Sequence, residues 1–140
     1  MSPPGVMANQ KIDKLILQME NYLECWKQFE HYLNLARSKK FSPEDESQFL
    51  ELKSILTQGL EMIMSSIDVS YPSREEIHAL ISSAASIRLV SELGESNLRN
   101  MENQWHKIFI AWQSILGQLK VQQREAGSKS FWDFLFKRKS

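Results

Sequence analysis

The sequence predicts an all-α protein, an up-down-up-down antiparallel four-helix bundle followed by a short amphipathic C-terminal tail. Two observations carry this prediction. Apolar residues recur at alternating spacings of three and four along most of the chain, as on the buried face of a helix. The connections between these stretches are only about three to seven residues long, and short connections make consecutive helices antiparallel neighbours.

The most regular pattern lies in the fourth predicted helix, residues 96–126. Every seam position of this helix is apolar, and two of them are tryptophans. A seam with two indole rings needs other helices to bury it. The seam consists of Leu98, Met101, Trp105, Ile108, Trp112, Ile115 and Leu119.

The first predicted helix, residues 9–38, has an equally regular seam. It is preceded by residues 1–8, which contain Pro and Gly and are expected to form a flexible N-terminus. The seam residues of this helix are Ile12, Leu15, Met19, Tyr22, Trp26, Phe29, Leu33 and Ala36. We interpret the tryptophans of both seams as core residues.

The second predicted helix, residues 43–67, begins with a clear start signal. Ser42 can cap the helix and Pro43 suits its first turn. Gly59 interrupts it at a cost of roughly 1 kcal/mol relative to Ala, which favours a close helix–helix contact at this position. Its predicted buried face is Phe49, Leu52, Ile55, Leu56, Leu60, Ile63 and Ile67, with Met62 and Met64 on the flanks.

The third predicted helix covers residues 74–93. Ser73 and Glu76 have the spacing of a capping box at its start. The middle, residues 82–86, consists of small residues that would let a neighbouring helix approach closely. Gly94 is expected to end the helix in the left-handed conformation that glycine adopts readily.

Length and composition narrow the class of protein. A chain of 140 residues is one domain by default. Seventeen basic and seventeen acidic residues give a net charge of zero, which argues against nucleic acid as a partner. Cys25 is the single cysteine, so no intramolecular disulfide or cysteine-based zinc site is expected, and a reducing cytoplasm is the simplest location. No secretory signal or membrane-spanning run is apparent.

The sequence offers little for catalysis. A di-iron bundle needs two Glu-x-x-His motifs and two further glutamates, whereas Glu75 and His78 supply the spacing once. His31 and His106 lie on other predicted helices, and no glycine-rich phosphate loop or small-molecule site is evident. We therefore expect no enzyme activity, cofactor or metal ligand, and keep a metal-dependent bundle enzyme only as a remote alternative.

The C-terminal tail is the candidate functional site. Residues 127–130 are predicted to be a hinge, and residues 131–140 combine aromatic with basic side chains. Wound as a helix, the tail would place Asp133 and Lys137 on one side and its apolar residues on the other. The predicted binding residues are Phe131, Trp132, Phe134, Leu135, Phe136, Lys137, Arg138 and Lys139.

Three interpretations of this tail compete. It could insert shallowly into an anionic membrane surface, fold back to cap its own bundle, or bind a groove on another protein or on a second copy. The leading hypothesis is a non-catalytic interaction or scaffold module that the tail attaches reversibly to a membrane surface or protein partner, at the inner face of a membrane. The alternative is a chaperone or adaptor that grips a helical client, with the tail as a self-docked cap.

Overall fold

In the computed structural model the chain is all-helical, as predicted; the structure describes the backbone of residues 4–137 and the side chains of residues 10–125. Within this part there are five helices and no strand. Helix α1 contacts α2, α4 and α5, and therefore lies at the centre of the packing, while α3 packs on α2 and α5. The helices are α1 (Pro4–Ser38), α2 (Pro43–Ser66), α3 (Arg74–Ser83), α4 (Ile87–Ser91) and α5 (Glu95–Lys137).

The core is formed by the predicted seams. All seven seam positions of α5 are buried, and Trp26, Trp105 and Trp112 are core residues as predicted. In α1 the seam is buried from Met19 to Ala36, whereas Ile12 and Leu15 are only partly buried. Every buried residue in the described part is apolar or aromatic. Hydrophobic burial is therefore what holds the helices together.

The predicted start of α2 is confirmed. The Ser42 hydroxyl accepts a hydrogen bond from the Asp45 amide at 3.1 Å, and the Asp45 carboxylate accepts one from the Ser42 amide at 2.8 Å. These two bonds form a capping box, and Pro43 occupies the first turn. At the start of α3, the Ser73 hydroxyl accepts from the Glu76 amide at 3.1 Å.

Helix α1 ends in a left-handed residue that is not glycine. Lys39 has a φ of 57°, and the amides of Lys39 and Lys40 donate to the carbonyls of Ala36 and Leu35 at 3.1 and 3.2 Å. This pair of bonds is the Schellman pattern, in which the left-handed position usually belongs to glycine. A lysine there carries the steric cost of its Cβ.

The predicted third helix is wrong in one respect, because it breaks at residues 84–86. Ala84 and Ser86 leave helical geometry, and the Ser86 hydroxyl caps the new helix α4 by accepting from the Leu89 amide at 3.0 Å. Serine competes with helical hydrogen bonding in this way, which explains why a serine-rich stretch interrupts the helix. Helix α2 supports the break, since Lys53 donates to the Ala85 carbonyl at 3.4 Å.

Contrary to the prediction, Gly94 does not end the preceding helix. None of the glycines in the described part has a positive φ, and Glu92 is the C-cap of α4 in a right-handed conformation. Gly94 instead precedes α5, and its carbonyl accepts from the Leu98 amide at 3.0 Å. Because a glycine also suits the N-cap position, the residue starts one helix rather than ending another.

Both ends of the chain contain more helix than the sequence suggests. Helix α1 begins at Pro4, inside the predicted flexible segment 1–8, and proline is favourable in a first helical turn. Helix α5 continues through residues 127–130, where a hinge was predicted. Gly127 costs a helix only about 1 kcal/mol, and no proline follows to break it. Residues 1–3 and 138–140 lie outside the described residues.

Replacing Lys39 by glycine should stabilise the protein. The variant Lys39→Gly removes the Cβ strain of the left-handed conformation and should raise the free energy of unfolding by about 1 kcal/mol, measured by urea denaturation. The matched control is Lys40→Gly, which removes the same charge one residue later without relieving this strain. If Lys40→Gly stabilised the protein as much as Lys39→Gly, the assignment of strain to Lys39 would be wrong.

Candidate functional site

The predicted tail residues fall at the end of α5. The backbone of residues 131–137 is helical and continuous with the bundle helix. The side chains of Phe131, Trp132, Phe134, Leu135, Phe136 and Lys137 lie outside the described residues, as do Arg138 and Lys139 entirely. The structure therefore gives the helical register of the tail but does not describe its side-chain contacts.

Contacts between α1 and α5 fix how the two helices run past each other. At one end Arg37 binds both Glu95, at 3.0 Å, and Glu102, at 2.7 Å. At the other end the Asp13 carboxylate accepts a hydrogen bond from the Gln123 amide group. Early residues of α1 thus pair with late residues of α5, so the two helices are antiparallel. The part of α5 that follows Gln123 is longer than the part of α1 that precedes Asp13.

A groove between α1 and α2 is lined mainly by apolar surface. Its volume is about 200 Å³. Ile55 and Met62, one above the other on α2, remain 51% and 57% exposed at its edge. The groove is lined by Gln18, Asn21, Tyr22 and Cys25 of α1 and by Ile55, Gly59, Met62 and Ile63 of α2.

Gly59 and Tyr22 form the floor of this groove. The Tyr22 hydroxyl donates to the Leu56 carbonyl at 2.8 Å, which ties the ring to α2. A Cβ at position 59 would lie only 2.8 Å from the nearest Tyr22 ring atom, so the prediction of a close helix–helix contact at Gly59 is confirmed. Burial raises the pKa of the Tyr22 phenol, which keeps the group neutral and able to donate.

The groove lining is uncharged, and charged side chains lie beyond both of its ends. Towards the start of α2, the Tyr32 hydroxyl donates a hydrogen bond to the Gln48 side-chain oxygen at 3.1 Å. The pKa of Tyr32 is raised mainly by burial, and to a smaller extent by the negative charges of Asp45 and Glu51. Two carboxylates therefore lie near this end, and Lys53 stands between Glu51 and Ile55 in the sequence. At the opposite end, Gln18 is shared with a crevice that Lys11 and Lys14 also line. A ligand with one cationic end would consequently be oriented along the groove.

Cys25 lies in the groove wall and is partly buried. Burial, and secondly the negative charge of Glu24, raises the pKa of its thiol. A raised pKa lowers the fraction of reactive thiolate at neutral pH. The residue therefore contributes apolar surface to the groove and has none of the features of an activated nucleophile.

The histidines do not meet in the fold. His31 packs against Tyr32, His106 follows Trp105 on α5, and His78 lies 3.6 Å from Glu61 across the α2–α3 contact. No three His, Cys, Asp or Glu side chains among the described residues come close enough together to share a metal ion. The Glu75 to His78 spacing thus has no second set of ligands beside it.

The comparisons with known proteins supply no relative. No protein-family model, curated protein or solved structure matches the chain. Among the described residues, no helix combines the length and apolarity that crossing a bilayer requires.

The sequence does not predict the groove, because its apolar pattern places Ile55 on the buried face of α2. Phe49, Leu52, Leu56 and Ile63 are buried, whereas Ile55 is half exposed. The spacing of the apolar residues in α2 does indicate that Ile55 lies outside the buried seam. The positions 49, 52, 56, 60 and 63 follow each other at intervals of three and four, and Ile55 falls beside this seam. Met62, seven residues after Ile55, lies on the same side of the helix.

Two glycine-to-alanine variants test the packing of the groove floor. Gly59→Ala should lower the free energy of unfolding by about 1–2 kcal/mol, because overpacking against the tethered Tyr22 ring outweighs the gain in helix propensity. Gly117→Ala is the control. Position 117 has open space around it, so the same change there should stabilise the protein by up to about 1 kcal/mol. Equal effects at both positions would contradict the close contact.

Proposed function

We propose that the protein is a non-catalytic helical scaffold module that attaches reversibly to an anionic membrane surface through the C-terminal end of α5. The single observation that carries the proposal is the unbroken helix α5, which leads from the buried seam directly into the aromatic and basic tail. A protein partner, as opposed to a membrane, is the competing ligand for the same tail.

The scaffold in this proposal is an up-down-up-down four-helix bundle, with α3 and α4 together forming the third segment. Cross-helix contacts support it. Residues near the start of α2 meet α4, since Glu46 accepts from the Arg88 amide at 2.7 Å, and residues near its end meet α3, since Glu61 binds Arg74 at 3.3 Å. The α2 segment is thus antiparallel to the α3–α4 segment, as α1 is to α5.

Helical register supports a tail that is presented outward. Lys137 follows Leu119 by about five full turns, so it returns to the face that packs on α1. Asp133 falls near the same face. The aromatic positions of the tail, of which Phe131 and Leu135 are the clearest, then belong to the other side of the helix. In this proposal the apolar positions are the ones that meet an external ligand.

Electrostatic attraction and the burial of aromatic surface set the strength of the attachment. Three cations near an anionic leaflet contribute about 1 kcal/mol each. Burying roughly 300 Å² of aromatic surface adds on the order of 7 kcal/mol before the cost of ordering is subtracted. The net affinity is modest, so a single copy would bind reversibly and stable attachment would need two tails or a second anchor.

An adaptor that grips a helical client is a second candidate function. The observation that favours it is the α1–α2 groove, where Ile55 and Met62 expose apolar surface of the kind that holds an amphipathic helix. In this alternative the bundle provides the binding surface and the tail has a secondary role.

Vesicle sedimentation tests the membrane proposal. Full-length protein should sediment with vesicles of phosphatidylserine and phosphatidylcholine at low salt, and remain in solution with phosphatidylcholine alone. Replacing Lys137, Arg138 and Lys139 by Gln should lower the partition coefficient roughly a hundredfold, because about 3 kcal/mol of electrostatic attraction is lost.

The matched control makes the same change in net charge at the opposite end of the molecule, by replacing Lys39, Lys40 and Arg99 with Gln. This variant should keep wild-type binding. If the two triple variants bound vesicles equally, or if the wild-type protein ignored anionic vesicles at low salt, the membrane proposal would be wrong.

A further inference from the structure

We propose that, in solution, the aromatic tail of one copy docks into the α1–α2 groove of a second copy. The occupant is the helical segment 131–137 with the basic residues that follow it. The inference rests on the proposed role of the tail as the docking element, and it adds a specific receptor for that tail on the bundle itself.

The length and the apolar chemistry of the groove suit this segment, with its side chains lying over the groove. Ile55 and Met62 are separated by about 10 Å along α2, and residues 131–136, which are apolar except for Asp133, span about 8 Å as a helix. Between them Tyr22 and Gly59 form the floor and Cys25 lies in the wall, so aromatic side chains would meet apolar surface. A segment with four aromatic residues needs such a cover in water.

Charge complementarity favours one direction of docking. The tail is apolar first and basic afterwards, ending in Lys137, Arg138 and Lys139. The groove has Lys11 and Lys14 beyond one end and Glu51 with Asp45 near the other. With the aromatic residues over Met62 and Ile55, the basic end would point towards Glu51. The reverse direction would bring the cations of the tail towards the lysines.

The continuous helix favours docking between copies over docking within one chain. Helix α5 runs about 27 Å from its last buried seam residue, Leu119, to Lys137 without interruption. The groove lies back along the bundle, beside residues 18–25 of α1. The tail could reach its own groove only if α5 broke and reversed, whereas a second copy can offer its groove to the intact helix.

Mixing two full-length variants tests the proposal. The groove variant carries Ile55→Glu and Met62→Glu and keeps its tail; the tail variant carries Phe131→Ser, Trp132→Ser and Phe134→Ser and keeps its groove. In sedimentation equilibrium, the wild-type protein should self-associate and each variant alone should do so at least tenfold more weakly. An equimolar mixture should recover association through one intact groove and one intact tail.

A control and a charge swap make the result specific. Leu50 and Leu89 are 55% and 53% exposed outside the groove, so Leu50→Glu with Leu89→Glu should leave self-association unchanged. Glu51→Lys and Arg138→Glu should each weaken it, and their combination in one chain should restore at least part of the loss. Circular dichroism of every variant verifies that the helices are intact.

Each other outcome overturns the proposal in a recognisable way. A monomeric wild-type protein would exclude docking in a second copy. Self-association of the tail variant alone would indicate contact between grooves, and self-association of the groove variant alone would indicate contact between tails. Vesicle binding is a separate readout, because the groove variant keeps its tail and should still bind anionic vesicles if the membrane proposal is correct.

Discussion

The contact between Trp105 and Trp26 is the interaction on which the rest of the structure depends. The Trp105 indole donates a hydrogen bond to the Trp26 carbonyl at 2.8 Å in the buried interior, between α1 and α5. The Trp26 ring itself is fully buried against Tyr22 and Phe29. A buried indole N–H is costly without an acceptor, and this bond forms at only one alignment of α1 and α5. The bond therefore fixes the register of the two helices. That register determines where the C-terminal end of α5 lies relative to α1.

The same aromatic cluster shapes the groove. Tyr22 contacts the rings of Trp26 and Trp112 edge-on and is held to α2 through its bond to Leu56. The ring lies so close to α2 that only glycine fits at position 59. The two helices approach closely at Gly59, and Ile55 and Met62 lie beside this contact, outside the core. The apolar groove is thus a direct consequence of how α1 and α2 pack.

Sequence periodicity predicts the buried seams well and their interruptions poorly. The seams of α1 and α5 are visible because strict helical spacing and burial have the same physical cause. The break after Ser83 depends on competition between serine hydroxyls and helical amides, together with support from Lys53, and spacing does not report either effect. For residues 127–130 the prediction errs in the opposite direction, because a hinge is expected and the segment is helical. Glycine and serine lower helix propensity without preventing a helix that is already nucleated. The candidate site divides in the same way: composition identifies the tail, whereas the groove requires knowledge of which helices meet at Gly59.

The central claim is that α5 is one helix that carries the tail away from its own bundle. The most direct measurement is a distance between nitroxide labels at Asn103 and Lys137, in a Cys25→Ser background, by double electron–electron resonance on labelled protein diluted with unlabelled protein. A continuous helix predicts a narrow distribution near about 50 Å. A distribution centred at least about 10 Å shorter, as a helix reversing at residues 127–130 would give, would contradict the account.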